Sequence, residues 1–200
     1  MIIELFAGTK SFSKAASGKG FKTFTSDIDP AFITNLTKDI LELSAKDLPR
    51  NPLMIWASPP CEGFSVASIG KHWNKDNTPK TEKAKNSVRM VEKTLELIKE
   101  LKPKYWVIEN PRGKLRKLAI MEGLHRHTVT YCQYGDIRMK PTDIWTNIPN
   151  WKPRAMCKNG DTCHVSAPRG SSTGTQGIKT DKDRSRVPGE LCEEIINAII

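Results

Sequence analysis

The sequence predicts an α/β domain built on a mostly parallel sheet with helices on both faces. Three observations predict it. Short apolar runs alternate with stretches of helical period, the order of repeated strand–helix units rather than of hairpins. The runs stop abruptly at Gly, Pro or acidic residues. Four of those stops carry residues able to do chemistry, and in parallel sheets ligands bind where the strands end.

The elements follow in order. Met1 to Phe6 is an apolar run broken by Ala7-Gly8, a buried strand entering a turn. Ser11 to Ala16 starts a helix. Phe21 to Ser26 alternates apolar and polar residues and ends at Asp27-Ile28-Asp29-Pro30, where Pro30 suits the first turn of a following helix. Leu53 to Ala57 is a third strand, stopped by Ser58-Pro59-Pro60. Val88, Val91, Leu95 and Ile98 repeat at helical spacing within Ser87 to Leu101. Tyr105 to Ile108 is a fourth strand, followed by Glu109-Asn110-Pro111. Thr128 to Cys132 and Ile144-Trp145 are later strands, and Val187 to Ile200 is a terminal helix with Pro188 in its first turn.

Composition sets the class. The 200 residues, 38% apolar and 27% charged, suffice for one domain with at most a small appended lobe, and exclude a disordered tail or a fibre. No apolar run reaches the roughly 18 residues of a membrane span. Met1-Ile2-Ile3-Glu4-Leu5-Phe6 lacks the basic start of a signal peptide, so a cytoplasmic protein is expected. The net charge of +10 fits a polyanionic partner, with basic stretches at Lys71 to Lys85, Lys99 to Lys104 and Arg112 to Lys117. A generally basic surface explains the same number, so charge alone does not name the partner. Five cysteines at irregular spacing, 61, 132, 157, 163 and 192, read as reduced thiols rather than a disulfide framework.

The loops after the strands carry the chemistry. Gly8 after the first strand allows a sharp turn and a close backbone approach to a ligand. Asp27 and Asp29 end the second strand, where a carboxylate can accept the ribose hydroxyls of a nucleoside, or simply cap the next helix. Asp39, after the next segment, can accept from an exocyclic amine. In Ser58-Pro59-Pro60-Cys61-Glu62-Gly63-Phe64-Ser65 two prolines stiffen the turn and fix the direction of Cys61, a nucleophile that its surroundings can activate. Glu109 at a strand end can serve as a general acid or hydrogen-bond clamp.

Leu5-Phe6-Ala7-Gly8, then Pro60-Cys61, then Glu109-Asn110, in that order, resemble the cytosine-C5 DNA methyltransferases, in particular the short, phage-type members. Ser26-Asp27-Ile28-Asp29 is similar to the family's cofactor-ribose loop. Tyr134-Gly135-Asp136-Ile137-Arg138 lies where the family has a later basic motif, and Arg186-Val187-Pro188 resembles its closing motif. The resemblance implies a Rossmann-like, S-adenosylmethionine-dependent methyltransferase fold, with the cofactor held by Phe6, Ala7, Gly8, Asp27, Ile28, Asp39 and Pro60. It implies a Cys61 thiolate adding to cytosine C6, Glu109 at N3, Asn110 orienting Glu109 and its loop, and Arg138 at the O2 edge. The target base would be flipped out of duplex DNA, and the host cytoplasm is the expected compartment if a phage encodes the chain.

Four differences from the family pattern stand out. Lys10-Ser11 replaces a second glycine after the first motif. Pro-Cys-Gln becomes Pro60-Cys61-Glu62. The Gln-x-Arg-x-Arg pattern is missing, with Arg138 and Lys140 as substitutes. The large target-recognition domain is also missing. Residues 1–148 are expected to form the catalytic domain, 149–185 a short loop-rich insert in place of that recognition domain, and 186–200 a helix packing back. A separate specificity partner is one way to supply the missing recognition.

Two matters stay open at this level. Cys157-x5-Cys163-His164 could hold a metal with Cys132 as a fourth ligand, although the spacing departs from the Cys-x2-4-Cys finger pattern. The alternative is that His164, Arg169 and the Gly-Ser-Thr run line a DNA-facing loop. The function has rivals too: a non-catalytic DNA-binding subunit keeping the fold, or a methyltransferase acting on an exocyclic amine, RNA or a nucleotide.

Overall fold

A computed structural model describes residues 1–66, 69–165, 178 and 180–200. Arg169 and the Gly-Ser-Thr run lie outside the described residues, as do 166–177 and 179 of the expected insert.

Seven strands form one sheet: β1 (Ile2–Leu5), β2 (Thr23–Asp27), β3 (Leu36–Thr37), β4 (Met54–Ala57), β5 (Tyr105–Pro111), β6 (Arg126–Thr130) and β7 (Pro141–Thr146). Their order is β3-β2-β1-β4-β5-β7-β6. All neighbours are parallel except β7, which runs antiparallel to both β5 and β6. The central register places the site. Leu5 pairs with Ser26 on one side and Ala57 on the other, and Ala57 pairs with Ile108. The residues that follow these four, Phe6-Ala7-Gly8, Asp27, Ser58 to Cys61 and Glu109-Asn110, therefore emerge along one edge of the sheet.

Side-chain alternation on these strands serves two apolar faces. Ile2, Met54, Trp56 and Val107 pack on α1 (Ser11–Gly18) and on the terminal helix Gly189–Asn197 through Phe12, Ala16, Leu191, Cys192, Ile195 and Ile196. Phe12 stacks on Trp56 at 4.3 Å between ring centroids. Ile3, Leu5, Ile55 and Ala57 face the long helix Glu82–Leu101 through Leu97 and Leu101. The expected cover on both faces is present.

Several boundaries differ from the sequence reading, each for a local reason. The long helix begins at Glu82 rather than Ser87, because the Thr81 hydroxyl caps it at the Ala84 N–H and its first turn is polar. The helix expected after Pro30 is a single 3-10 turn, Pro30–Phe32, ended by Ile33 in the left-handed region (φ 51°). The two-residue strand β3 carries too short a pattern to read. Pro188 caps the last helix from just outside its first turn.

Buried charge also braces the frame. Both oxygens of buried Glu4 accept N–H groups from the start of α1, Phe12 at 3.2 Å and Ser13 at 2.8 Å. Burial raises the Glu4 pKa, and those bonds oppose the shift. Asp143 on β7, fully buried, is held by Arg116 and by the Thr128 hydroxyl at 2.7 Å. No helix among the described residues is long and apolar enough to cross a membrane.

Candidate active site

Cys61 leaves β4 on a loop clamped from several sides. The Ser58 hydroxyl accepts from Trp56 Nε1 at 2.9 Å, and the Phe64 N–H bonds the Cys61 carbonyl at 2.9 Å, closing a turn behind the thiol. Gly63 sits against the long helix, where a Cβ would run into the Ser87 side chain and lie 3.3 Å from the Lys83 carbonyl. Trp73 Nε1 donates to the Gly63 carbonyl at 2.7 Å, and the Lys114 N–H donates to the Phe64 carbonyl at 2.8 Å. At Gly113 a Cβ would collide with that same Phe64 carbonyl. Sequence reasoning missed Gly63, Trp73 and Gly113, whose packing roles are set by distant parts of the chain. The charge that Glu62 adds beside the thiol is paired with Lys83 on the helix.

The Glu109 end of β5 is tied to the same loop. The Asn110 side-chain amide donates to the Pro59 carbonyl at 2.8 Å, across 51 residues of chain. Asn110 is fully buried, and its side-chain carbonyl has no partner among the described residues. Glu109, 4% exposed, accepts from the Tyr131 hydroxyl at 2.9 Å. Burial first, then the Glu109 charge, holds the Tyr131 phenol well above its ordinary range, so it remains a donor. Nothing in the sequence singled out Tyr131, which reads as one more strand residue.

The basic motif is divided between two side chains. Arg138 is buried. Its guanidinium is committed to Asp136 and to the carbonyls of Asp183, Arg184 and Arg186. Burial works against its charge, but Asp136 outweighs that and leaves its pKa raised. In this structure Arg138, the residue expected at a cytosine edge, links Asp136 to the carbonyls of 183–186. Lys140, two residues on, donates to the Arg184 carbonyl at 3.0 Å and lies 4.7 Å over the Tyr131 ring. Its ammonium is enclosed, which lowers its pKa, while Glu109 and Cys61 pull the other way. Cys61 keeps solvent access, yet the crowding of protein around the sulfur raises its pKa. Lys140 opposes that rise, and Glu109 and Glu62 add to it. The Cys61 thiol, the Glu109 carboxylate and the Lys140 ammonium thus share one electrostatic environment.

The first loop closes on Asp27. The Gly8 N–H donates to its Oδ2 at 2.8 Å and the Asp29 N–H to its Oδ1 at 3.0 Å. Phe6 (φ 55°), Gly8 (φ 45°) and Lys10 (φ 58°) turn left-handed, so the second glycine's place is filled by a lysine in the same conformation. Ile28 beside Asp27 is 62% exposed. Asp39 caps a 3-10 turn at the Leu41 N–H, 2.9 Å away, and Asp29 caps another at Ala31. Two clefts flank this edge: one of about 640 Å³ against α1 and β2, one of about 490 Å³ between Tyr134–Arg138 and Asp183–Gly189. Cys61 lines neither.

Residues 1–118 match the sequence profile of C-5 cytosine-specific DNA methylases. The chain belongs to this family. A Frog virus 3 (isolate Goorha) protein named "Probable DNA (cytosine-5)-methyltransferase" is 31% identical to it, with 98% of each chain covered. Among solved structures, one assigned as a prophage-encoded DNA modification methyltransferase of E. coli superposes with a TM-score of 0.52 at 20% identity, over 72% of this chain and 45% of that one. A Spodoptera frugiperda DNMT2 variant gives 0.50 at 17%, over 78% and 53%. These likenesses bear out the expected methyltransferase fold. This methylase-family chain spans about half the length of the two solved proteins.

Proposed function

We propose that the protein transfers a methyl group from S-adenosylmethionine to C5 of a cytosine in DNA, through a covalent adduct at Cys61. The observation that carries this reading is the tie between the Cys61 loop and the Glu109 strand end, where Asn110 bonds the Pro59 carbonyl and Tyr131, bonded to Glu109, lies under the Lys140 ammonium.

Cytosine C5 is a poor nucleophile. Addition of the Cys61 thiolate to C6 breaks the C5–C6 double bond and drives electron density toward C5 and N3. Glu109 donates a proton or hydrogen bond at N3, which stabilises the charge as it forms. Lys140 takes the place expected of Arg138: its ammonium favours the thiolate before attack and screens Glu109. The nucleophilic C5 so formed would accept the methyl group, with the donor's sulfur–methyl bond breaking and a neutral thioether leaving. Loss of the C5 proton to solvent water and departure of the Cys61 sulfur from C6 as thiolate restore the aromatic ring.

The methyl donor supplies an electrophilic methyl on a sulfonium when bound. Phe6, Ala7, Gly8, Asp27, Ile28, Asp39 and Pro60 would hold it, and the residues present fit such a group. Asp27 uses each oxygen for one N–H, so lone pairs remain for two ribose hydroxyls. The exposed Ile28 offers an apolar face to a purine ring. Lysines across the surface of a chain with net charge +10 supply phosphate contacts, which offset the few kcal/mol of base flipping.

Duplex DNA carrying 5-fluorocytosine tests the reading. With S-adenosylmethionine it should trap the wild-type chain in a complex that survives denaturation, because fluorine cannot leave as the C5 proton does. Cys61→Ala should give none. Absence of trapping on a sequence that the protein demonstrably methylates overturns the covalent route.

A further inference from the structure

The cysteines outside the active site are not scattered. Cys132 lies on the 3-10 turn Tyr131–Tyr134 that ends β6, while Cys157, Cys163 and His164 come from the segment 151–165. Their ligand atoms all lie within 4.8 Å of one another. The Cys132 sulfur is 3.1 Å from that of Cys157 and 3.5 Å from that of Cys163. His164 Nδ1 is 3.7 Å from the sulfurs of Cys157 and of Cys163. Tetrahedral zinc, with Zn–S of about 2.3 Å and Zn–N of about 2.0–2.1 Å, requires S···S edges of about 3.8 Å and S···N edges of about 3.6 Å. The separations given lie within about 0.7 Å of those edges, and every pair falls within 4.8 Å. No pair is bonded as a disulfide.

The surroundings suit a metal as well. Segment 151–165 contains no helix or strand and buries only Trp151 and Cys157. Its other ties are polar: the Cys157 N–H to the Thr130 hydroxyl at 3.0 Å, the Val165 N–H to the Ile137 carbonyl at 2.9 Å, and Arg154 to Glu190 and Glu194. Gln133 Nε2 donates to the Cys163 sulfur at 3.4 Å, as donors around metal thiolates do.

We propose that Cys132, Cys157, Cys163 and His164 bind one structural zinc ion, which closes segment 151–165 onto the end of β6. Three thiolates and one imidazole select a borderline-soft tetrahedral ion, and four protein ligands leave no open position for catalysis. Binding releases the thiol protons, and the free energy of coordination becomes stability of the loop. The Cys-x2-4-Cys pattern is missing because one ligand arrives from a strand end 25 residues upstream of the next. This inference is independent of the methyl-transfer reading.

The test uses the full chain purified without chelator in zinc-replete medium, with metal measured by plasma mass spectrometry. About one zinc per chain is expected, falling below about a tenth in Cys157→Ser and Cys163→Ser. Because losing a ligand can release the loop altogether, cobalt(II) exchanged into the wild-type chain provides the second measurement. Intense visible bands and a near-ultraviolet thiolate-to-cobalt band, as tetrahedral thiolate sites show, support the site. Folded protein that holds no zinc and gives no such cobalt spectrum overturns it. So does full zinc occupancy in both serine variants, or a Cys132–Cys157 disulfide in freshly purified protein.

Discussion

Tyr131→Phe removes one oxygen atom and little else. The ring stays in the core beside Val129 and Ile144, and the Lys140 ammonium keeps its place over it. What is lost is the hydroxyl that donates to Glu109 at 2.9 Å, in a spot where Glu109 is 4% exposed and water cannot substitute freely. A hydrogen bond to a charged group is worth about 1.5–3 kcal/mol, which is roughly 10-fold to 150-fold if all of it is felt at the barrier. We expect kcat for methyl transfer to fall by about one to two orders of magnitude, with KM for DNA and for S-adenosylmethionine changed by less than about threefold. Single-turnover transfer of a labelled methyl group measures this, and thermal unfolding checks that the fold survives. Tyr131 acts through Glu109, so a double-mutant cycle distinguishes positioning from a general loss of structure. In a Glu109→Gln background, Tyr131→Phe should add little. Additive losses, or a folded Tyr131→Phe enzyme within about twofold of wild type, would refute the reasoning.

Three further outcomes follow from the geometry. Lys140→Met removes the positive charge that favours the Cys61 thiolate, so the thiol pKa should rise further; alkylation of Cys61 against pH, followed by mass spectrometry, should shift to the alkaline side, and an unchanged or acid-shifted profile would contradict the assignment. Gly63→Ala drives a methyl group into Ser87 and toward the Lys83 carbonyl, at a cost of about 1–3 kcal/mol, and adding Ser87→Gly should recover part of the lost melting temperature. Arg116→Ala leaves the fully buried Asp143 with Thr128 and a more distant Arg126; a loss of about 3 kcal/mol, or roughly 6–12 °C in Tm, is expected by calorimetry.

The four central strands were legible because each is an apolar run with a conspicuous stop, and Cys61 was legible because Pro59 and Pro60 precede it. The residues that hold the site were not. Tyr131 and Trp73 meet their partners only through the fold. The division of labour between Arg138 and Lys140 turns on two positions in an irregular segment, where no period fixes which side chain faces Glu109. Asp136 pairs with Arg138, which no period in the sequence signals. The polar first turn of the long helix and the two-residue β3 were lost for a plainer reason: neither contains enough apolar residues to show a repeat.

The packing of the terminal helix on α1 bears on how the chain reaches this state. The Val187 N–H meets the Ser11 hydroxyl across 176 residues, and Leu191, Ile195 and Ile196 complete the apolar cluster begun by Ile2 and Phe12. Until they arrive, one face of the sheet stays open to water. Contacts this distant in sequence close late and slowly, since loop-closure entropy precedes their reward. Closure of this face therefore depends on the helix from Gly189 to Asn197, and a chain cut before it is expected to expose apolar surface around Phe12 and to aggregate.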